Sequence, residues 1–177
     1  QAATEAIGRV GRHDGMLSWP GANREIFRDL LVHPTLVWYL NQLCGTGFRL
    51  EQLPRLVTDD PACGVTFDGT LSGGDEPRDP RRAYYHQNER RQCQLVRAIW
   101  ALDDAPERAG GLVFVQASHK SNVVAPDDLL NGRDDMGLVR QTELCAGDLL
   151  LLADSTIRGF RPWQGKGNLR LVGYGFA

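Results

Sequence analysis

Apolar positions recur at two periods along the chain. Over residues 24–32, Ile26, Phe27, Leu30 and Leu31 fall at helical spacing, with Asn23 as a suitable N-cap. His33 and Pro34 break this helix, because the residue before proline avoids the α region. Pro34 then opens a second helix with Leu36, Val37, Leu40 and Leu43 on one face and Gly45 as its stop. The preceding residues, 1–22, read as a polar, glycine-dotted segment with one apolar patch at Met16, Leu17 and Trp19. From Phe48 onward the pattern shortens to β-like runs at 53–58, 63–67, 92–102, 111–117, 138–144, 148–153 and 168–176. Turn signals separate them, among them Asp59-Asp60-Pro61, Ser72-Gly73-Gly74, Ala109-Gly110 and Ala146-Gly147.

Residues 70–80, rich in Gly, Asp and Pro, read as a mobile loop, and 122–136 as a second long connection holding one helical turn. Connections of that length in a compact β domain usually act as lids or partner surfaces. Two helices followed by about seven or eight strands predict a mainly β fold with N-terminal helices, a sandwich or jelly roll with the helices against one sheet. The expected organisation is a polar segment at 1–22 and a single domain at 23–177.

Composition changes this picture little. With 177 residues, 42% hydrophobic and 24% charged, the chain is long enough for a real core. A net charge of −2 gives no electrostatic footprint for nucleic acid. The arginines around 78–91 are interleaved with acids and read as a solvated face. No apolar run approaches the ~20 residues of a membrane span. Cys44, Cys63, Cys93 and Cys145 are scattered without a CxxC pair, so they read as buried, reduced thiols in a reducing compartment rather than zinc ligands or a disulfide framework. The chain starts at Gln1 and ends inside a strand-like run, which reads as a fragment, so the absence of a targeting peptide says nothing of compartment.

Motifs for other chemistries, GxSxG, Walker A, GxGxxG and HExxH, are absent from the sequence. Asp103 and Asp104 are adjacent, so they read as turn formers rather than an acid/base pair. Trp38, Trp100 and Trp163 read as core residues. His33 reads as a helix-junction residue and His13, beside Asp14, as solvent-exposed.

Four segments together carry a resemblance. HPTLVWYLNQLCG at 33–45, AIWALDDAPERAGGLVFVQASHKSN at 98–122, GDLLLLADSTIRGFRPW at 147–163 and GNLRLVGYGF at 167–176 resemble the phytanoyl-CoA dioxygenase family of Fe(II)/2-oxoglutarate oxygenases. The resemblance implies a cupin-like double-stranded β-helix whose open end binds iron through two imidazoles and a carboxylate, with further positions free for 2-oxoglutarate and O₂. It also implies an arginine on the last strand that forks onto the distal carboxylate of 2-oxoglutarate.

Residue by residue, the implied metal set departs from the family. His86 stands at the first ligand position. Asn88 stands where the carboxylate belongs, and Arg158 where the second histidine belongs. A guanidinium has donors only and keeps its proton. A unit cation ~4 Å from a divalent ion costs roughly 8 kcal/mol at an effective dielectric near 20. Arg170 stands at the 2-oxoglutarate position. Arg158, Arg161, Lys166 and Arg170 are expected at one pocket mouth, and Asp68 and Asp154 are the carboxylates open to displaced ligation. His119, in QASHK, matches a structural histidine.

Three functions follow as expectations. The first is a non-catalytic member with no cofactor, serving as a scaffold, accessory subunit or binding module through loops 70–80 and 122–136. The second is an active Fe(II)/2-oxoglutarate dioxygenase acting on a small or lipid-like substrate. The third is a metal-independent anion binder using Arg158 and Arg170.

Overall fold

In a computed structural model, which describes residues 1–60, 63–73 and 79–177, three helices precede a set of short antiparallel strands. Helices α1 (Ala2–Val10), α2 (Ala22–Leu31) and α3 (Pro34–Leu43) lead into β1 (Leu50–Thr58) and β2 (Leu71–Ser72). A hairpin of β3 (Tyr84–Gln87) and β4 (Arg90–Cys93) follows, then β5 (Val96–Ala101) and β6 (Gly111–Val115). The short helix α4 (Asp127–Leu130) precedes β7 (Val139–Gln141), β8 (Leu149–Ala153), β9 (Arg158–Arg161) and β10 (Arg170–Phe176).

The strands form two four-stranded sheets, in the orders β1-β10-β5-β8 and β2-β9-β6-β7, with β3 and β4 paired apart from both. Leaving the hairpin out, successive strands alternate between the two sheets up to β6 and after β7. This winding is that of a double-stranded β-helix, as expected from the sequence.

Strand alternation assigns the two faces of the first sheet. Val96, Ala98 and Trp100 of β5, with Val172, Tyr174 and Phe176 of β10, pack against the three helices. Ile99, Ala101 and Leu171 instead meet Leu112 and Phe160 of the second sheet. The outer face of the second sheet, with Val113 and Val115, is covered by Leu129 and Leu130 of α4. Tyr174 reaches through the helical layer and donates to the Phe27 carbonyl at 2.9 Å, while Phe27 meets Trp19 edge-on at 5.3 Å.

The polar reading of 1–22 missed α1, which buries Ala3, Ala6 and Ile7 in the helix-side core. Small alanines make a weak hydrophobic signal, and only docking on a larger neighbour makes that face apolar enough to hold. The first turn of α2 follows Gly21 rather than an Asn23 cap, because the Asn23 side chain accepts from Arg9 Nε at 3.1 Å. Pro34 sits at the first turn of α3 as expected, but Trp38 lies on its exposed face.

The run 63–67 forms no strand. Cys63 packs on β1 through an Sγ contact of 3.0 Å to the Leu56 carbonyl. The run expected at 92–102 is divided at 94–95, where Gln94 N–H turns to the Ala83 carbonyl at 3.0 Å. Within the expected loop 70–80, Leu71 is buried and paired in β2, and 74–78 lie outside the described residues.

All four cysteines are free, and Cys145 is exposed rather than buried. Burial, then the neighbouring Cys93, pushes the Cys44 thiol up to about 12. Burial pushes Cys93 up to about 11 and raises the Tyr174 hydroxyl above its usual value. A pKa raised on folding contributes stability that is intact below the unfolded value and is lost as pH rises through the folded one. The urea midpoint is therefore expected to fall from about pH 9 upward as the unfolded thiols ionise. A Cys44→Ala/Cys93→Ala variant should show a shallower decline, and equal slopes would refute the assignment.

Candidate functional site

The space between the sheets is where strand alternation sends Arg97, Asp154 and Arg158. Arg97 shares the side of β5 that carries Ile99 and Ala101, and Arg158 shares the side of β9 that carries Phe160. Asp154 follows β8 in register with Leu150 and Leu152, which also face the second sheet. Arg97 and Arg158 converge with Arg82, from the 3-10 turn Pro80–Arg82, on the Asp154 carboxylate, whose side chain is 0% exposed.

Arg97 Nε and Arg158 Nη2 both donate to Asp154 Oδ1, the latter at 3.0 Å. Arg82 Nε lies 2.9 Å from Oδ2. That contact is an ion pair without hydrogen-bond direction, and among the described residues Oδ2 has no hydrogen-bond donor. Arg158 is held further by Nη1, which donates to the carbonyls of Asp154 at 2.8 Å and Thr156 at 3.0 Å. Burial and then the Arg97 charge push the Arg158 pKa down to about 10, against the opposing pull of Asp154. The guanidinium stays charged at neutral pH, and its fork is spent on this one turn.

Arg170 is on the other face. Along β10 it shares a side with Val172, Tyr174 and Phe176, which pack toward the helices, and its pairing with Thr58 beside Leu56↔Val172 keeps that register. Its guanidinium forks onto Asp103, Nε to Oδ2 at 2.7 Å and Nη2 to Oδ1 at 2.6 Å. The hydrogen bond and charge of Asp103 raise its pKa despite some burial. Asp103 is thus more than a turn former, and Asp104 accepts from Ala146 N–H at 2.8 Å, which ties its own segment to the turn at 145–148. Arg158 and Arg170, expected at one mouth, are separated by the sheet and held by different carboxylates. Arg161 pairs with Asp135 at 3.2 Å instead.

His86 is exposed on β3 and stands opposite Arg91 in the hairpin. Asn88 and Glu89 form its tip at φ 51° and 62°. Two successive left-handed residues match the tight hairpin turn that favours Asn, so residue 88 has a backbone reason for its identity. Asp68 accepts from Thr70 N at 2.9 Å and Thr70 Oγ1 at 2.6 Å, which holds its carboxyl below the usual range. Among the described residues, no three His, Cys, Asp or Glu side chains converge as a donor set for a metal ion.

Ser118 and His119 both have work in the fold. Ser118 Oγ donates to the Val115 carbonyl at 2.8 Å and accepts from Ile157 N–H at 2.9 Å, tying the end of β6 to the start of β9. His119 meets Tyr84 edge-on at 4.8 Å.

Two cavities open beside this region. The outer one, 790 Å³, has Tyr85, His86 and Asn122 on its wall; the inner one, 340 Å³, runs along β8. Tyr84, Arg91 and Lys120 line both.

A model of the phytanoyl-CoA dioxygenase family matches residues 72–159, about half of the chain. The chain belongs to the phytanoyl-CoA dioxygenase family. His86, Asn88 and Arg158 all fall inside the matched stretch, and Arg170 lies beyond it. Solved structures agree on the fold. HygX from Streptomyces hygroscopicus, solved with nickel and 2-oxoglutarate bound, superposes with a TM-score of 0.75 at 18% identity, over 99% of this chain and 76% of that one. SnoN, a non-heme alpha ketoglutarate dependent epimerase from nogalamycin biosynthesis, gives 0.61 at 16% identity, over 94% of this chain and 59% of that one. ThoJ, a non-heme monooxygenase, gives 0.60 at 14% identity, over 99% and 68%. No protein of curated function matches the chain.

Sequence reading placed Arg158 at the site but missed what holds it. Arg82 falls in the stretch read as a solvated face, and Arg97 is not singled out within the run 92–102. Asp154 was weighed only as a displaced ligand. The available signal was an acid next to an apolar strand and four residues before an arginine, a spacing that means nothing until the strand ends are placed.

Proposed function

We propose that this member of the phytanoyl-CoA dioxygenase family does not use iron and that its β-helix serves as a binding module or accessory subunit. The observation that carries this reading is the state of Arg158. Expected from the family pattern at the second histidine, Arg158 is a cation held by three acceptors at 2.8–3.0 Å. Iron's donor set does not fit the residues present. Arg158 has no lone pair to offer, the neighbouring carboxylate Asp154 is shared by three guanidinium groups, and Arg170 has its fork on Asp103.

The connection 122–136 supports a partner surface. Val123, Val124 and Met136 are large apolar side chains left exposed along it, with Leu138 just beyond. No helix among the described residues is long and apolar enough to cross a membrane.

An Fe(II)/2-oxoglutarate oxygenase is the second reading, favoured by the fold shared with HygX, whose structures hold iron, nickel and 2-oxoglutarate. Anaerobic Fe(II) titration followed by a succinate-release assay separates the two. The expected result is no stoichiometric Fe(II) site and no succinate. A micromolar 1:1 site, or succinate formation dependent on iron and 2-oxoglutarate and lost in His86→Ala, would establish the second reading instead.

A further inference from the structure

Tyr84, Arg91 and Lys120 stand where the outer cavity meets the inner one. Among the described residues, Arg91 and Lys120 make no ion pair and no carboxylate lines either cavity. Two cations facing one space with no described counter-charge focus a positive potential into it. His86 and Asn122 add hydrogen-bonding groups on the outer side. In the inner cavity Leu43, Cys93, Phe114, Val115 and Leu151 put apolar side chains on the wall, beside polar groups that include Thr156 and His119.

We propose that this pair of cavities binds an amphipathic organic monoanion. Its carboxylate pairs with Arg91 and Lys120 at the throat, and its apolar body fills the inner cavity along β8. The inner volume, 340 Å³, lies at the lower end of the range for small-molecule sites, which suits a short acyl or single-ring body rather than a long lipid chain. Neither Arg158 nor Arg170 takes part, since both are already held by carboxylates. The site deepens the binding-module reading and rests on it only in that binding needs no metal.

The test is calorimetric titration of the whole chain with octanoate in the presence of EDTA, beside octan-1-ol and acetate. Octanoate is expected to bind at 1:1, with octanol and acetate each weaker by about tenfold or more, because each lacks one of the two contacts. Arg91→Gln/Lys120→Gln should weaken octanoate by about tenfold or more and leave octanol unchanged. Both substituted residues are exposed, and an unchanged melting temperature without ligand confirms that the variant is folded. Equal affinity for octanol and octanoate, no binding of octanoate, or full affinity in the double variant overturns the site. A positive Fe(II) titration alongside EDTA-resistant octanoate binding would defeat the non-catalytic reading and leave this site standing.

Discussion

Asp154→Asn is expected to lower the stability of the fold by roughly 3–5 kcal/mol, the cost of removing one partner from a buried ion cluster. The substitution keeps the shape and takes away the single charge on which Arg82, Arg97 and Arg158 converge. Arg82 and Arg97 have some access to solvent and can turn outward. Arg158, with a side chain only 18% exposed, cannot do so without opening β9. For a chain of this length the loss corresponds to a fall in Tm of roughly 6–20 °C. Adding Arg158→Met to Asp154→Asn should recover part of that loss, since it removes the cation left without a counter-charge. A double variant no more stable than Asp154→Asn, or a single variant within about 1 kcal/mol of wild type, would show that the cluster is not what holds this turn.

Gly159→Ala is the second substitution with a large expected effect. A Cβ at this position would lie 2.0 Å from the Thr70 carbonyl oxygen, a backbone atom that no rotamer change can move. Gly159 pairs with Leu71 across β2 and β9, and Gly69 N–H donates to the Phe160 carbonyl at 2.8 Å in the same seam. One methyl group therefore forces the β2 edge off the second sheet and exposes Leu71. The cost is expected at about 3 kcal/mol or more, the upper end for overpacking because the obstruction is main chain. Hydrogen exchange should show the loss concentrated at 69–72 and 158–161. A variant that melts with the wild type would mean that β2 is not seated as described.

These two substitutions flank Arg158 and touch different forces, charge compensation on one side and steric approach on the other. Together they test whether Arg158, expected where the family has its second histidine, serves as a structural tie. The iron titration asks the complementary question of whether the protein carries metal chemistry.

Much of the architecture is determined locally and could be read from the chain. Pro34 and the spacing of Leu36 and Leu40 specify α3, and short apolar runs bounded by turn signals specify β5, β8 and β10. The resemblance to the family likewise set the expectation for His86, Asn88 and Arg158 from order and spacing alone, and all three lie within the matched stretch 72–159. What needed the tertiary structure were the pairings between distant segments. Arg158 is neutralised by a carboxylate four residues away, but that carboxylate is buried only because Arg82 and Arg97 arrive from elsewhere in the chain. Arg170 is turned from the inter-sheet space by one step of strand register, and residue 103, far off in sequence, fills its fork. Sequence periodicity sets which side chains share a face. It carries no information on which charges meet once the faces close, since a salt bridge depends on distances that only the packed sheets define.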